Sequence, residues 1–284
     1  MPANLLSIKI SRPTVLAIGV VLLFIAAYLP ALQILVRKWA TSEEYGHAFL
    51  TVPIILYMIW QKRAALSEMR PDYAPLGLTL VLLATPLYLF ALLTEVHTAI
   101  TLAMLLTITG SLIYLAGLRA VWTLITPLFL LLILIPVPDQ LYISLTFPLQ
   151  IMVSQASEII IRVCDIPIFR EGNIMTVPGK QFEVADACSG LRSMITLLTL
   201  SVIMGHFLLK KKAAKLILVA ASIPTAIFVN MVRVVGIILL FAFFELDLSE
   251  GLAHETMGLV IFLLALLILH LIQRVLESWQ TQKK

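Results

Sequence analysis

The chain has 284 residues, 61% of them hydrophobic and 13% charged, with a mean hydropathy of +1.03. A soluble domain carries roughly 45–50% apolar and about 25% charged residues, so this chain has too little charge to cover a solvated surface, and with only two cysteines it is not a disulfide scaffold. The net charge of +4 is small and gives no reason to expect nucleic-acid binding; in a lipid-embedded chain the positions of the cations matter more than their sum.

A bilayer core of ~30 Å is crossed by ~20 helical residues. The first apolar run of that kind covers residues 14–36. It is too long for a cleaved signal peptide, and LVRKWATSEE follows it instead of a small-residue cleavage site. A shorter run, 48–60, begins after the polar patch SEEYGH and ends at QKR, with Trp60 suited to an interface. Further spans are expected at 76–93, 97–117 and 121–135. Residues 141–163 are different. They carry Ser144, Thr146, Pro148, Gln150, Ser154, Gln155, Ser157, Glu158 and Arg162, too polar for lipid on every side, and are expected to form an amphipathic helix in the interface. NIMTV and QFEV follow as short β-type runs joined by the turn residues PGK, which predicts a small hairpin. Spans at 190–209, 214–244 and 252–276 complete the chain. The expected fold is an all-α polytopic membrane protein: a single integral-membrane domain over residues 1–284, with about eight transmembrane helices. An interfacial helix and a β-hairpin lie outside the membrane at about 138–188.

The basic residues orient this arrangement. With 141–163 in the interface and the N-terminus in the cytoplasm, thirteen of the twenty Lys and Arg residues fall on the cytoplasmic side, led by the loop GHFLLKKKAAK, and six fall outside. That is the positive-inside pattern. Both termini are then cytoplasmic, and the hairpin is extracytoplasmic.

Three residues with chemical potential lie near the outer face in this topology. Cys188 stands where a helix begins, and the partial positive charge of a helix N-terminus favours the thiolate, the nucleophilic form. The backbone N–H groups of Ser189 and Gly190 are first-turn donors suited to an oxyanion. An inert, buried thiol with Ser189 as a helix cap is the plainer alternative. Arg233, in AIFVNMVRVVGII, lies within a span, where an arginine costs ~2.5–3.5 kcal/mol on insertion scales and by default faces the bundle interior with a partner. Asn230 is one turn earlier on the same face; a structural ion pair with Glu183, Asp186 or Glu255 is the alternative. The apolar run VVGIILLFAFF beyond Arg233 is expected to tilt or break. His254 opens the last span and is placed to act as a general base and acid near a thiol, or to be an ordinary cap histidine. HETMG resembles a zinc-binding HExxH, but Gly258 replaces the second histidine, so no metal is expected. Cys164 and Cys188 share a face and could pair. His47, His97, His206 and His270 form no constellation in the sequence.

These motifs together resemble the exosortase/archaeosortase family of polytopic membrane cysteine transpeptidase-like enzymes. The resemblance begins at EEYGHAFLTVPIILYMIWQKR, continues through LLLILIPVPDQ and TFPLQ, and is strongest at VADACSGLRSM, NMVR and HETMG. It implies that Cys188, Arg233 and His254 are the catalytic residues and that no cofactor is used. It implies as partners the lipid bilayer, membrane-anchored proteins with C-terminal tripartite sorting signals (a short PEP-type motif, a transmembrane helix and a basic tail) and an acceptor nucleophile of unknown identity. The setting it implies is the bacterial cytoplasmic membrane, with the site facing outward. Arg192, one turn beyond Cys188, is a candidate ligand for an acid in the substrate motif. The rival from another class is a polytopic transporter or polysaccharide-assembly factor with a structural intramembrane arginine; the chain shows no inverted repeat to favour it.

Overall fold

The structure, a computed structural model, describes residues 12–42, 44–69, 71–184, 191–248 and 251–281. It is mainly helical, with one small sheet. The first expected span is not one straight helix. It divides into α1 (Arg12–Ala27) and α2 (Leu29–Thr41), bent by 67°. Pro30 stands in the first turn of α2, where its missing N–H and fixed φ are tolerated and where it cannot continue the preceding helix. A turn leads to α3 (Ala48–Gln61), which is followed by the short α4 (Arg63–Ser67).

Next come α5 (Pro75–Leu93) and α6 (His97–Thr123), packed along one another as an antiparallel pair. Their approach is set by glycine. A Cβ on Gly77 would meet Tyr114 N at 2.2 Å and Gly110 O at 2.5 Å, backbone atoms that cannot step aside. Small residues at such a seam are how helices approach closely in lipid. Gly77→Ala should therefore lower the thermal midpoint in detergent, by the equivalent of about 1–3 kcal/mol of overpacking; an unchanged midpoint would show that the seam is loose.

The expected boundary between the spans 97–117 and 121–135 is also redrawn. Helix α6 runs past residue 117 to Thr123, with a kink at Gly117 (φ 73°). Only glycine adopts that conformation cheaply, and a Cβ there would come within 2.6 Å of the Asp72 carboxylate. What remains of the expected fifth span is the nine-residue α7 (Ile125–Ile133).

Among the described residues four helices are long and apolar enough to cross a bilayer: α5, α6, α10 (Lys212–Phe244) and α11 (Gly251–Thr281). The bent α1–α2 pair gives a fifth candidate. Helix α3 and α9 (Leu191–Leu208) are apolar but shorter. The chain is a multi-pass membrane protein, and four or five crossings by length stand against the eight expected from hydropathy. The difference lies in α3 and α7, whose apolar runs are interrupted or end early, and in α9, which is described only from Leu191. Pro224 does not break α10, which is continuous to Phe244; neighbouring helices let proline persist inside membrane helices.

The polar segment forms α8 (Asp139–Val163), which is not among the helices suited to spanning. It buries one face, with Thr146, Gln150, Ser154 and Ser157 among the buried residues, against α10 and the sheet. The expected hairpin is present as β2 (Ile174–Val177) and β3 (Lys180–Glu183), paired Val177 to Lys180 across the turn. A third strand, β1 (Phe169–Glu171), pairs antiparallel with β2 and extends the hairpin to a meander. Its sequence FRE is too short and too charged to show alternation. Arg170 on β1 donates to Glu158 of α8 at 2.6 Å, which fastens the sheet to that helix.

Candidate active site

The site is built at one end of the bundle formed by α9, α10 and α11. Helices α9 and α10 form an antiparallel hairpin whose turn carries the lysines Lys210, Lys211 and Lys212. The far end of α11 returns to that turn, where Gln280 Oε1 accepts from the backbone N–H groups of Lys210 (2.7 Å) and Lys211 (2.9 Å). The last turns of α10, the start of α11 and the sheet therefore lie together at the opposite end. The separation of the lysine loop from the hairpin, read from charge alone, is present in the fold.

Arg233 and His254 meet at this opposite end. Arg233 Nη2 lies 2.7 Å from His254 Nε2, and both residues are half-buried. A guanidinium only donates. The His254 Nε2 must then be the acceptor, which makes the ring neutral with its proton on Nδ1. This contact gives Arg233 a histidine partner. The pairing also fixes a register. Arg233 lies eleven residues, ~16 Å, before the end of α10, while His254 is three residues, ~5 Å, into α11. They are level only because α10 overhangs the start of α11 by about two turns.

The sheet covers that overhang, so the run VVGIILLFAFF neither tilts away nor breaks. Val234, Ile237 and Ile238 are buried in one cluster with Met175, Val177, Phe182 and Val184 of the sheet region. Phe182 packs edge-on to Phe241 at 5.4 Å, and Lys180 of β3 is paired with Asp247 just beyond α10. Lys180 also lies over the Phe182 ring at 5.4 Å. The sheet thus bridges α8 and the end of α10, and β3 leads directly into the segment that carries the cysteine.

Gly258, one turn after His254, borders the guanidinium. A Cβ there would lie 3.5 Å from Arg233 Nη2, at ordinary contact distance. Asn230, one turn before Arg233, is buried at 3% exposure, in line with an inward-facing polar side. Cys188, Ser189 and Gly190 lie outside the described residues. So does the side chain of Arg192, whose backbone belongs to the first turn of α9. Helix α9 begins three residues after Cys188. The other cysteine, Cys164, is a free thiol packed against the core beneath the sheet.

One histidine set aside in the sequence has a structural position. His47, in the turn before α3, places Nε2 3.3 Å from Thr199 Oγ1 on α9. Burial holds its imidazole below the ordinary histidine range, partly opposed by the Glu44 carbonyl. Two residues earlier, the Tyr45 hydroxyl accepts from the Val137 N–H at 3.0 Å, and its ring packs on Met194 and Ile195. The YGH turn thereby supports the first half of α9, the helix that Cys188 precedes. Nothing in the spacing of the histidines revealed this, because the partner is more than 150 positions away. A cavity of about 590 Å³ lies elsewhere, between α2, the start of α6 and the α7–α8 link, lined by residues including Arg37, Lys38, His97 and Asp139. It does not include the Arg233–His254 pair.

A bundle of long apolar helices that brings Arg233 and His254 together at one end, beside a small sheet, defines a multi-pass membrane protein with a polar pair at that end. The chain belongs to the transmembrane exosortase family (Exosortase_EpsH), whose sequence pattern matches residues 39–271. No curated protein and no solved structure matches the chain.

Proposed function

We propose that this protein is a membrane cysteine peptidase or transpeptidase that cleaves C-terminal sorting signals of exported, membrane-anchored proteins. The observation that supports it most directly is the 2.7 Å contact between Arg233 and His254, two residues of the family motifs carried on different helices. In this reading Arg233 turns its guanidinium from His254 Nε2 to the scissile carbonyl oxygen, the freed Nε2 takes the proton of the Cys188 thiol, and the thiolate attacks the carbonyl carbon. The carbon–sulfur bond forms, and Arg233 holds the oxyanion. The carbon–nitrogen bond then breaks as His254 returns the proton to the leaving amine, which departs with the substrate helix. An amine or water resolves the thioester. Ser189 and Gly190 offer backbone N–H donors, Asn230 orients the arginine, and Arg192 takes an acid in the substrate motif.

The topology we infer places the lysine turn and both termini in the cytoplasm and the Arg–His pair toward the outside. Eight crossings are reached if α3, α9 and the α6–α7 continuation each cross as short or kinked segments; the return of α11 to the lysine turn supports an antiparallel α9–α10–α11 set.

The test is to co-express the protein with a signal-bearing substrate and examine Cys188 by mass spectrometry. A thioester adduct on Cys188, and none on Cys164, is expected. Processing of the substrate without any adduct, and with Cys188 unreactive to a membrane-impermeant alkylating reagent, would sink the mechanism. A second test uses Gly258. Gly258→Ala should be tolerated. Gly258→Leu should push the guanidinium off His254 and lower processing by about 10²-fold, the scale of an ångström-sized misplacement. Full activity in Gly258→Leu would show that the Arg–His register is not needed.

A further inference from the structure

The end of the bundle opposite the Arg–His pair gathers cations for which the site above has no use. Lys62 closes α3, His206 lies in the last turn of α9, and Lys215 lies in the first turn of α10. All three are half-buried. The helices are held together at this level by specific contacts. The Tyr57 ring of α3 stacks on Phe207 of α9 at 6.1 Å, and α9 approaches α10 so closely that a Cβ on Gly205 would lie 3.6 Å from the Lys215 Cβ. Lys62 and Lys215 each lie within electrostatic reach of His206, and Lys62 within reach of Lys215.

Among the described residues no carboxylate pairs with Lys62 or Lys215. The nearest acid on α11, Glu277, is engaged by Gln273 at 2.9 Å and Arg274 at 3.9 Å. Packing brings like charges together from three helices, which is unfavourable unless an anion joins them. The depth is also marked. Tyr57 and Trp60 stack at 5.9 Å, Arg63 lies over the Trp60 ring at 3.9 Å, and Tyr57, Trp60 and Phe207 are all exposed beside the cluster. Exposed aromatic residues of this kind sit at the headgroup level of a bilayer. A basic pocket between helices at that level suits the headgroup phosphate of an anionic lipid.

We propose that Lys62, His206 and Lys215 form a binding site for the headgroup phosphate of an anionic phospholipid in the leaflet at this end. The two ammonium groups bridge the phosphate oxygens, the imidazole N–H donates to the same group, and the acyl chains lie against Tyr57 and Phe207. Such a lipid would clamp α3 to the α9–α10 hairpin.

The test uses the full chain reconstituted in phosphatidylcholine vesicles, with or without phosphatidylglycerol, and reads the thermal unfolding midpoint. Phosphatidylglycerol should raise the midpoint by several degrees, and Lys62→Gln/Lys215→Gln should lose at least half of that rise. An equal rise in the variant would overturn the site. If that variant does not fold, Lys210→Gln/Lys211→Gln/Lys212→Gln decides: the rise should survive loss of the loop charges, and its disappearance would assign the effect to the loop. Inorganic phosphate added to phosphatidylcholine vesicles should give no rise; a full rise with phosphate alone would overturn the lipid assignment.

Discussion

Replacing Cys188 by alanine is expected to leave the signal-bearing precursor uncleaved in cells, with processing reduced by at least about 10³-fold. Removing the nucleophile of a covalent mechanism removes the chemical step itself, and what persists comes only from binding and electrostatic stabilisation. Cys188→Ser should be nearly as damaging, because a serine hydroxyl is far less ionised than a thiol and a poorer nucleophile at neutral pH. The control is Cys164→Ala. That thiol is half-buried against the sheet core, so its loss should cost ~1 kcal/mol of stability and leave processing intact. The two variants separate the readings of the cysteine cleanly. Normal cleavage by Cys188→Ala would show that its thiol is not the nucleophile, and loss of cleavage in Cys164→Ala alone would move the thiol chemistry to Cys164. A transporter or a scaffold would tolerate both substitutions.

What the sequence disclosed about this arrangement depended on the range of the interaction. Helices α5, α10 and α11 are continuous apolar runs, and hydropathy found their bounds within a few residues. The amphipathic character of α8 was legible from eight polar positions, because a helix that is polar on one side must bury the other differently from a lipid-facing one. Breaks set by packing were not legible. Gly117 is one glycine among several in apolar runs, and only its closeness to Asp72 shows why the chain turns there. The strand β1 exists because Arg170 reaches Glu158 and because β2 offers an edge, neither of which leaves a pattern in FRE.

The candidate site divides in the same way. Arg233 stood out because a charge in a span is expensive, and His254 because of its motif. That the two touch follows from the overhang of α10, which is a matter of loop length and sheet packing. The support given to α9 by Tyr45 and His47 rests on contacts with distant segments and had no local signal.

The pairing of Arg233 with His254 supports the other large expected effect. Arg233→Ala and His254→Ala should each lower processing by about 10²–10⁴-fold, the usual worth of a positioned proton carrier or charge donor. Because they act on one reacting group, the double variant should be little worse than the worse single one. Arg233→Lys should also fail, since an ammonium on a flexible stem does not present to a developing oxyanion the fixed, planar pair of donors that a guanidinium does. A purely structural pair makes different forecasts. It predicts a fall in the thermal midpoint that tracks the fall in activity, and recovery of both by any residue that restores the contact. His254→Gln distinguishes the two. The glutamine carbonyl can accept from Arg233 Nη2 much as Nε2 does, so the midpoint should stay near that of the parent. It cannot take up and return a proton, so processing should remain as low as in His254→Ala. A His254→Gln protein that is both stable and active would reduce His254 to an anchor for the arginine, and the proton would then need another carrier.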